Sequence, residues 1–312
     1  MSGNSVKNIE VKEDDQGQRL DNFLARHLKG VPKTRIYKLL RKGEFRVNKG
    51  RKKPDYRIQA GDIVRIPPIR VAERKISSPG GKVIDVVKRS IIYEDEGLMV
   101  INKPSGLAVH GGSGLNYGMI EALRAIYPNS HFLELVHRID RDTSGCVMVA
   151  KKRSRLREIH GLMRESKLDK YYKLLVCGKW DKNNSKVDAS LEKFTIKGGE
   201  RMVKVSKDGK PSLTIFKILQ EFDNATLLEA DLRTGRTHQI RVHTKHCGNP
   251  IAGDDKYGER EVNKELKEFG LTRLFLHAAR IKFVMPSSGK EYDIEAPLPR
   301  ELNEVIERLD KQ

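Results

Sequence analysis

Two interruptions divide the chain: Pro67-Pro68, and Ser77-Ser78-Pro79-Gly80-Gly81, both set in a polar, basic stretch with few periodic apolar positions. Proline fixes φ and removes a backbone donor, and clustered Gly and Ser favour turns, so no single element is expected to run through this stretch. We read residues 67–89 as a linker, which splits the 312 residues into a tail (1–17), a small module (18–66) and a large domain (90–312).

In the module, Leu20, Phe23, Leu24 and Leu28 recur at helical spacing and Gly30 supplies a stop. A second helix is predicted over about Thr34 to Lys42, with Ile36, Leu39 and Leu40 inward and Arg35, Lys38, Arg41 and Lys42 outward. Short strands follow around Phe45 and Val47, around Tyr56 and Ile58, and over Ile63 to Ile66, with a turn at Asn48-Lys49-Gly50. The basic residues Arg46, Lys49, Arg51, Lys52 and Lys53 fall in the same small unit.

Beyond the linker, Ile91 to Tyr93 and Leu98 to Ile101 flank the turn Glu94-Asp95-Glu96-Gly97, as in a hairpin. Further strands are predicted at Cys146–Ala150, Tyr171–Cys177, Leu213–Leu219, Thr226–Leu232 and Arg280–Met285. Helices are predicted around Leu156 to Met163, around Ile240 to His243, and over Leu302 to Leu309. Strand and helix do not alternate strictly and no glycine-rich phosphate loop follows a strand. The expected class is therefore α+β: a largely antiparallel mixed sheet with flanking helices, preceded by a small α/β module.

Lys and Arg number 61 against 42 acidic residues, a formal charge of +19, which makes a polyanion the expected partner. Residues 1–18 have no apolar signal core, and no segment approaches the roughly 20 apolar residues of a membrane span. RNA in the cytoplasm is expected, with no membrane. Cys146, Cys177 and Cys247 are far apart and form no C-x-x-C pair, so inert thiols are expected instead of disulfides or a zinc knuckle.

Three clusters hold the reactive groups. In His137-Arg138-Ile139-Asp140-Arg141-Asp142-Thr143-Ser144-Gly145, Asp140 lies among cations that would keep it ionised as a nucleophile or base. The same residue could instead hold a tight turn with Thr143 and Ser144. Ile139 separates this run from the kinase H-R-D loop, and no G-x-S-x-G elbow accompanies the lipase-like His110-Gly111-Gly112. In Arg233-Thr234-Gly235-Arg236-Thr237-His238-Gln239-Ile240-Arg241-Val242-His243, helical spacing puts His238, Arg241 and Lys245 on one side. A metal site at His243, His246 and Cys247 would lack a fourth ligand of familiar spacing. In Lys170-Tyr171-Tyr172-Lys173, alternation sends the two tyrosines to opposite faces, so one can pack in the core while the other reaches a site, although a tyrosine in a strand is more often core packing.

Together with Asn102-Lys103-Pro104-Ser105-Gly106, these motifs, in this order, closely resemble the RluA-type pseudouridine synthases. Residues 18–66 resemble the ribosomal protein S-four-type RNA-binding module that precedes that catalytic domain in several members. The resemblance implies isomerisation of specific uridines to pseudouridine in large-subunit (23S) ribosomal RNA. A monomer is expected, with no cofactor, and with no metal because no convincing ligand set is present. The resemblance implies Asp140 as nucleophile, Arg241 as its charge partner and Tyr172 against the target base. It also implies Arg138 in the space left by a flipped-out base, with His137, Lys103 and His238 expected at the substrate. Arg35, Lys38, Arg41, Lys42, Arg51 and Lys52 are expected to grip RNA backbone. The competing reading is a non-catalytic ribosome-assembly or RNA-binding factor, for which the basic module alone would suffice.

Overall fold

The computed structural model describes residues 5–28, 30–69, 79–112, 117–196 and 199–311. Its contacts separate two units, residues 1–76 and 77–312.

In the first unit, β1 (Lys7–Glu10), β3 (Ile63–Ile66) and β2 (Arg46–Val47) form a three-stranded antiparallel sheet in that order. Helices α1 (Leu20–His27) and α2 (Lys33–Lys42) bury Leu20, Phe23, Leu24, Ile36 and Leu40 with Phe45, Val47, Ile58 and Val64. Gly43 ends α2 at φ 72°, a left-handed cap that glycine adopts without a Cβ clash. Asn48 and Lys49 are both left-handed, at φ 49° and 66°, which gives the tight turn expected there. Tyr56 and Ile58 lie in irregular chain although Ile58 is fully buried, and β1 draws part of the expected tail into the sheet.

The second unit opens with α3 (Gly81–Arg89), β4 (Ile91–Glu94), β5 (Leu98–Lys103), α4 (Met119–Ile126), β6 (Glu134–Leu135), β7 (Ser144–Ala150), α5 (Arg153–Arg164) and β8 (Leu168–Cys177). It continues with β9 (Lys186–Asp188), β10 (Leu191–Thr195), β11 (Arg201–Val205), β12 (Leu213–Glu221), β13 (Ala225–Leu232) and α6 (Gln239–His246). It closes with α7 (Arg260–Glu268), β14 (Leu276–Val284), β15 (Glu291–Glu295) and α8 (Arg300–Leu309). Ten strands make one sheet in the order β4-β5-β7-β14-β8-β13-β12-β9, with β6 beside β7 and β15 beside β14; β10 and β11 form a separate hairpin.

The β7–β14 pair runs parallel, and the other pairs of the sheet are antiparallel. That parallel contact depends on Gly145. It sits at φ 109°, and a Cβ there would lie 2.2 Å from the Ala278 carbonyl oxygen. Both faces of the sheet are covered there, so the end of β8, Leu174 to Cys177, reads as an apolar run without alternation. Leu174 and Val176 join the core beneath β5 and β7, while Leu175 and Cys177 pack with Leu302, Val305 and Leu309 of α8.

Residues 81–89, read as linker from the sequence, are helical: Val87 is fully buried in the larger core, worth about 2 kcal/mol, and α3 packs on α4. Residues 70–78 of the expected linker lie outside the described residues. No helix among the described residues is long and apolar enough to cross a membrane.

Candidate active site

The loop between β6 and β7 carries Asp140, and a dense set of bonds fixes its shape. Lys103, at the end of β5, donates from Nζ to the carbonyls of Pro104, Leu107 and Arg141 at 2.8–2.9 Å. Gly106 N donates to the Arg141 carbonyl, and Ser105 Oγ donates to that of Asp142. The Asn102-to-Gly106 motif thus clamps the Asp140 loop from below. This corrects the expectation that Lys103 meets substrate: it is 0 % exposed and each ammonium N–H already has a carbonyl. Burial pushes its pKa down to about 7, while the three carbonyls favour the charged form.

On the far side of the same loop, Ser144 Oγ lies 2.9 Å from His277 Nδ1 and accepts from Arg273 Nη2 at 2.8 Å. His277 Nε2 faces the Ala296 carbonyl at 3.1 Å, so the proton belongs on Nε2 and Nδ1 accepts from the serine. Burial, reinforced by Arg273 and Lys173, lowers the His277 pKa to about 4 in the fold. An unfolded histidine takes a proton near pH 6.5, so this contribution to stability is present above 6.5 and is lost as pH falls toward 4. We expect roughly 3 kcal/mol to be lost across that window from His277 alone. Urea unfolding at pH 7 and at pH 4.5 checks it. A His277→Gln chain should lose less stability between the two, and equal losses would remove His277 from the account.

Arg241 projects from α6 toward Asp140. Its Nε and Nη2 make a two-pronged pair with Asp254 at 2.7 Å each, and its Nη1 lies 3.3 Å from Asp140 Oδ2. Asp254 is wholly buried and also accepts from the backbone N–H groups of Lys256 and Tyr257. Burial works against the charge on Arg241, but Asp254 and then Asp140 outweigh it and raise its pKa. Desolvation likewise opposes the Asp254 carboxylate, and Arg241 overrides it, so that pKa is lowered.

His238 stands just before α6 at φ 54°, where helical spacing no longer applies, yet it reaches the same carboxylate: its Nε2 is 3.8 Å from Asp140 Oδ2. Its Nδ1 is 2.8 Å from the Tyr257 hydroxyl, which accepts from Val203 N and so is free to donate to the imidazole. Burial lowers the His238 pKa despite the nearby Asp140 charge, keeping a neutral ring with its proton toward Asp140. Gln239 pins the preceding loop: its amide donates to Leu213 O and Thr214 Oγ1, and its carbonyl accepts from Thr234 Oγ1 and Arg236 N.

These groups line one cavity of about 440 Å³ that holds Asp140, Arg241, His238, Tyr172, His137 and Arg138. Of the two tyrosines, Tyr172 faces the cavity, 7 % exposed, and burial followed by the Asp140 charge raises its pKa, so the phenol stays protonated. His137 is pinned by the Met148 N–H, which donates to its Nε2, and burial holds its pKa down at about 3. Arg138 is exposed at the edge. Lys245 is exposed and does not line the cavity. Both ring nitrogens of His243 are engaged, by Thr214 Oγ1 and the Ala189 carbonyl, which leaves no lone pair for a metal. Sequence reading missed Asp254 and Tyr257; the available signal was an acid and a tyrosine bracketed by Gly253 and Gly258, a tight turn 13 residues beyond Arg241.

On the first unit, Arg35, Lys38 and Lys42 line a shallow groove with Thr34 and Leu39, and Lys42, Arg46, Lys49 and Arg65 line an adjacent one. Arg41, Arg51 and Lys52 are exposed, and Lys52 Nζ lies 4.6 Å from the centre of the Tyr56 ring.

Comparison with known proteins follows this division. Residues 97–246 match the RNA pseudouridylate synthase family model, and residues 18–64 match that of the S4 domain. The chain is 53% identical over 311 residues to the ribosomal large subunit pseudouridine synthase C of Pasteurella multocida, covering 99% of this chain and 95% of that protein. It is 53% identical over 309 residues to the protein of the same name from Escherichia coli strain K12, covering 98% and 97%. Among solved structures, human RNA pseudouridylate synthase domain containing 4 is similar with a TM-score of 0.60 at 25% identity, covering 73% of this chain and 96% of that one.

Proposed function

Because the chain belongs to the RNA pseudouridylate synthase family, we propose that it converts uridines of large-subunit ribosomal RNA to pseudouridine with Asp140 as nucleophile. The observation that carries this reading is the Asp140 carboxylate, held 3.3 Å from Arg241 in a cavity also lined by Tyr172. The N-glycosidic bond must be cut, the uracil turned and the ribose rejoined at carbon 5, all away from water. A carboxylate held beside a buried guanidinium is a competent nucleophile for that step. Tyr172 stacks on the target base, and because its phenol stays protonated it assists loss of the carbon-5 proton through water and not as a phenolate. Arg138, exposed at the cavity edge, fills the gap left by the flipped nucleotide. The residues assigned to the site all come from one chain, which fits a monomer, and a ribosomal RNA substrate fits work in the cytoplasm.

The test is incubation of the purified protein with an unmodified large-subunit rRNA fragment, read by carbodiimide treatment and primer extension. New stops at discrete uridines are expected. Free uracil in place of stops would indicate a glycosidase, and neither product would favour an assembly factor.

Residues 18–66 grip RNA in this reading, and the support is the run of exposed cations along α2 and the β2–β3 side. Phosphate contacts release counterions, so affinity should depend on salt in proportion to their number. Neutralising Lys38, Arg41 and Lys42 to alanine in the full chain should weaken binding to long rRNA fragments. It should also reduce the log–log salt slope by about 2 if all three touch phosphate. Single-turnover rate on a short stem-loop at saturation should stay within about threefold of the original. An unchanged slope would mean that this face only keeps the protein in solution.

A further inference from the structure

Of the five cations that line the cavity, Arg241 and Lys170 are the two that are not exposed, and their circumstances differ. Arg241 is compensated twice, by Asp254 and by Asp140. Lys170, two residues before Tyr172 on β8 and so on the same face of the strand, lines the cavity without a hydrogen bond or ion pair to any described residue. Its ammonium sits against the loop before α6: a Cβ on Gly235 would be 3.8 Å from Nζ. Burial lowers its pKa, opposed by the charge of Asp231. Asp231 itself is ion-paired through Oδ2 with Arg233, and its Oδ1 is buried without a hydrogen-bond partner.

A desolvated, unneutralised cation is unfavourable until a negative charge arrives beside it. The anions a nucleotide brings are its phosphates, and the exposed arginines of the cavity wall, Arg138, Arg164 and Arg236, are placed to meet those. Lys170 is less exposed than they are and shares its strand face with Tyr172, the residue we assign to the base. The base acquires charge only during reaction. If the C1′–N1 bond breaks, its electron pair stays with the ring, spread over N1, O2 and O4, while the Asp140 carboxylate takes C1′. If Asp140 adds to C6 instead, the electrons of the C5–C6 double bond are pushed through C5 to O4. On the first route C5 then takes C1′ and displaces the Asp140 carboxylate; on the second C5 takes C1′ as the C1′–N1 bond breaks, and the Asp140–C6 bond breaks as the C5–C6 double bond returns. In both, C5 loses its proton, N1 takes one up and Asp140 is released as the carboxylate. O4 gains negative charge in both.

We propose that Lys170 is a catalytic residue, whose ammonium stabilises the negative charge that develops on the uracil carbonyl oxygens. Preorganised charge aimed at the reacting atoms, in a site shielded from water, lowers the barrier without tightening ground-state binding. The alternative duty for Lys170 is to neutralise Asp231, and the alternative ligand is a phosphate; the experiment separates all three.

The inference rests on the isomerase reading above, so pseudouridine formation by the unaltered chain is established first in the same assay, and its failure there would count against that reading. Lys170→Met, Lys170→Arg and Asp231→Asn are then compared by single-turnover rate and by equilibrium affinity on one short RNA. Lys170→Met should slow the reaction by about 100-fold with affinity within about threefold. Lys170→Arg should recover at least about tenfold of that, since it returns the charge in a different shape, and Asp231→Asn should stay within about threefold of the original. Lost affinity with an unchanged single-turnover rate would make Lys170 a phosphate contact. An Asp231→Asn chain as slow as Lys170→Met would make it the partner of Asp231 alone. An unchanged rate and affinity in Lys170→Met would remove Lys170 from the site.

Discussion

An Asp140→Asn chain should fold, bind RNA and form no measurable pseudouridine. Asparagine keeps the size of the side chain and can still accept from Arg241 Nη1, but its amide has no anionic oxygen with which to form the covalent bond. The single-turnover rate should fall by at least about 10⁴-fold, which corresponds to about 5.5 kcal/mol of barrier. Folding should survive because Asp140 is partly exposed, at 23 %, and because Arg241 keeps its stronger, two-pronged pair with Asp254 at 2.7 Å. RNA affinity should hold or rise slightly, since one negative charge leaves a cationic cleft. The measurements are carbodiimide primer extension under single-turnover conditions, affinity on the same RNA, and the thermal midpoint. A residual rate within about tenfold of the original, in a protein that melts normally, would remove Asp140 as nucleophile.

How far the sequence carries such an argument depends on the range of the interactions involved. The β5, β7, β8, β12 and β13 strands were legible because each has a local run of apolar residues. Asp140 and Arg241 were legible because each sits in a dense motif. Helix α3 was not: it begins at Gly80-Gly81, which signals a turn, and its inward face rests on Val83 and Val87, too few to stand out in a basic stretch. Helix α7 has the same problem, with only Val262 and Leu266 facing the core. The hairpin β10–β11 is held by Leu191 and Val203 against Val242 and Tyr257, contacts far apart in sequence. Lys103 was misread for a different reason. A lysine beside a Pro-Ser-Gly turn has the same local signature whether it binds phosphate or caps carbonyls, and only the folded loop brings the Arg141 carbonyl within 2.9 Å of its Nζ.

Asp254 shows the same limit with the largest consequence, because the buried pair it makes with Arg241 serves stability and catalysis together. Arg241→Met removes the charge beside Asp140 and also leaves Asp254, 0 % exposed, as an uncompensated carboxylate. Breaking one side of such a pair costs about 3–5 kcal/mol of stability, so the single variant should melt well below the original protein. Its single-turnover rate, measured below its own melting point, should fall by about 10³-fold. The second substitution separates the two effects. In Arg241→Met with Asp254→Asn the buried charge is gone, and stability should recover by at least about 2 kcal/mol over the single variant. The backbone N–H groups of Lys256 and Tyr257 can still donate to the remaining amide oxygen. Activity should not recover, because nothing restores the cation at 3.3 Å from Asp140. Urea unfolding and single-turnover kinetics on the full set, including Asp254→Asn alone, give the coupling in each property. Should the double variant regain rate along with stability, Arg241 would be a structural residue that acts through its pair with Asp254, and its guanidinium would have no part in the chemical step.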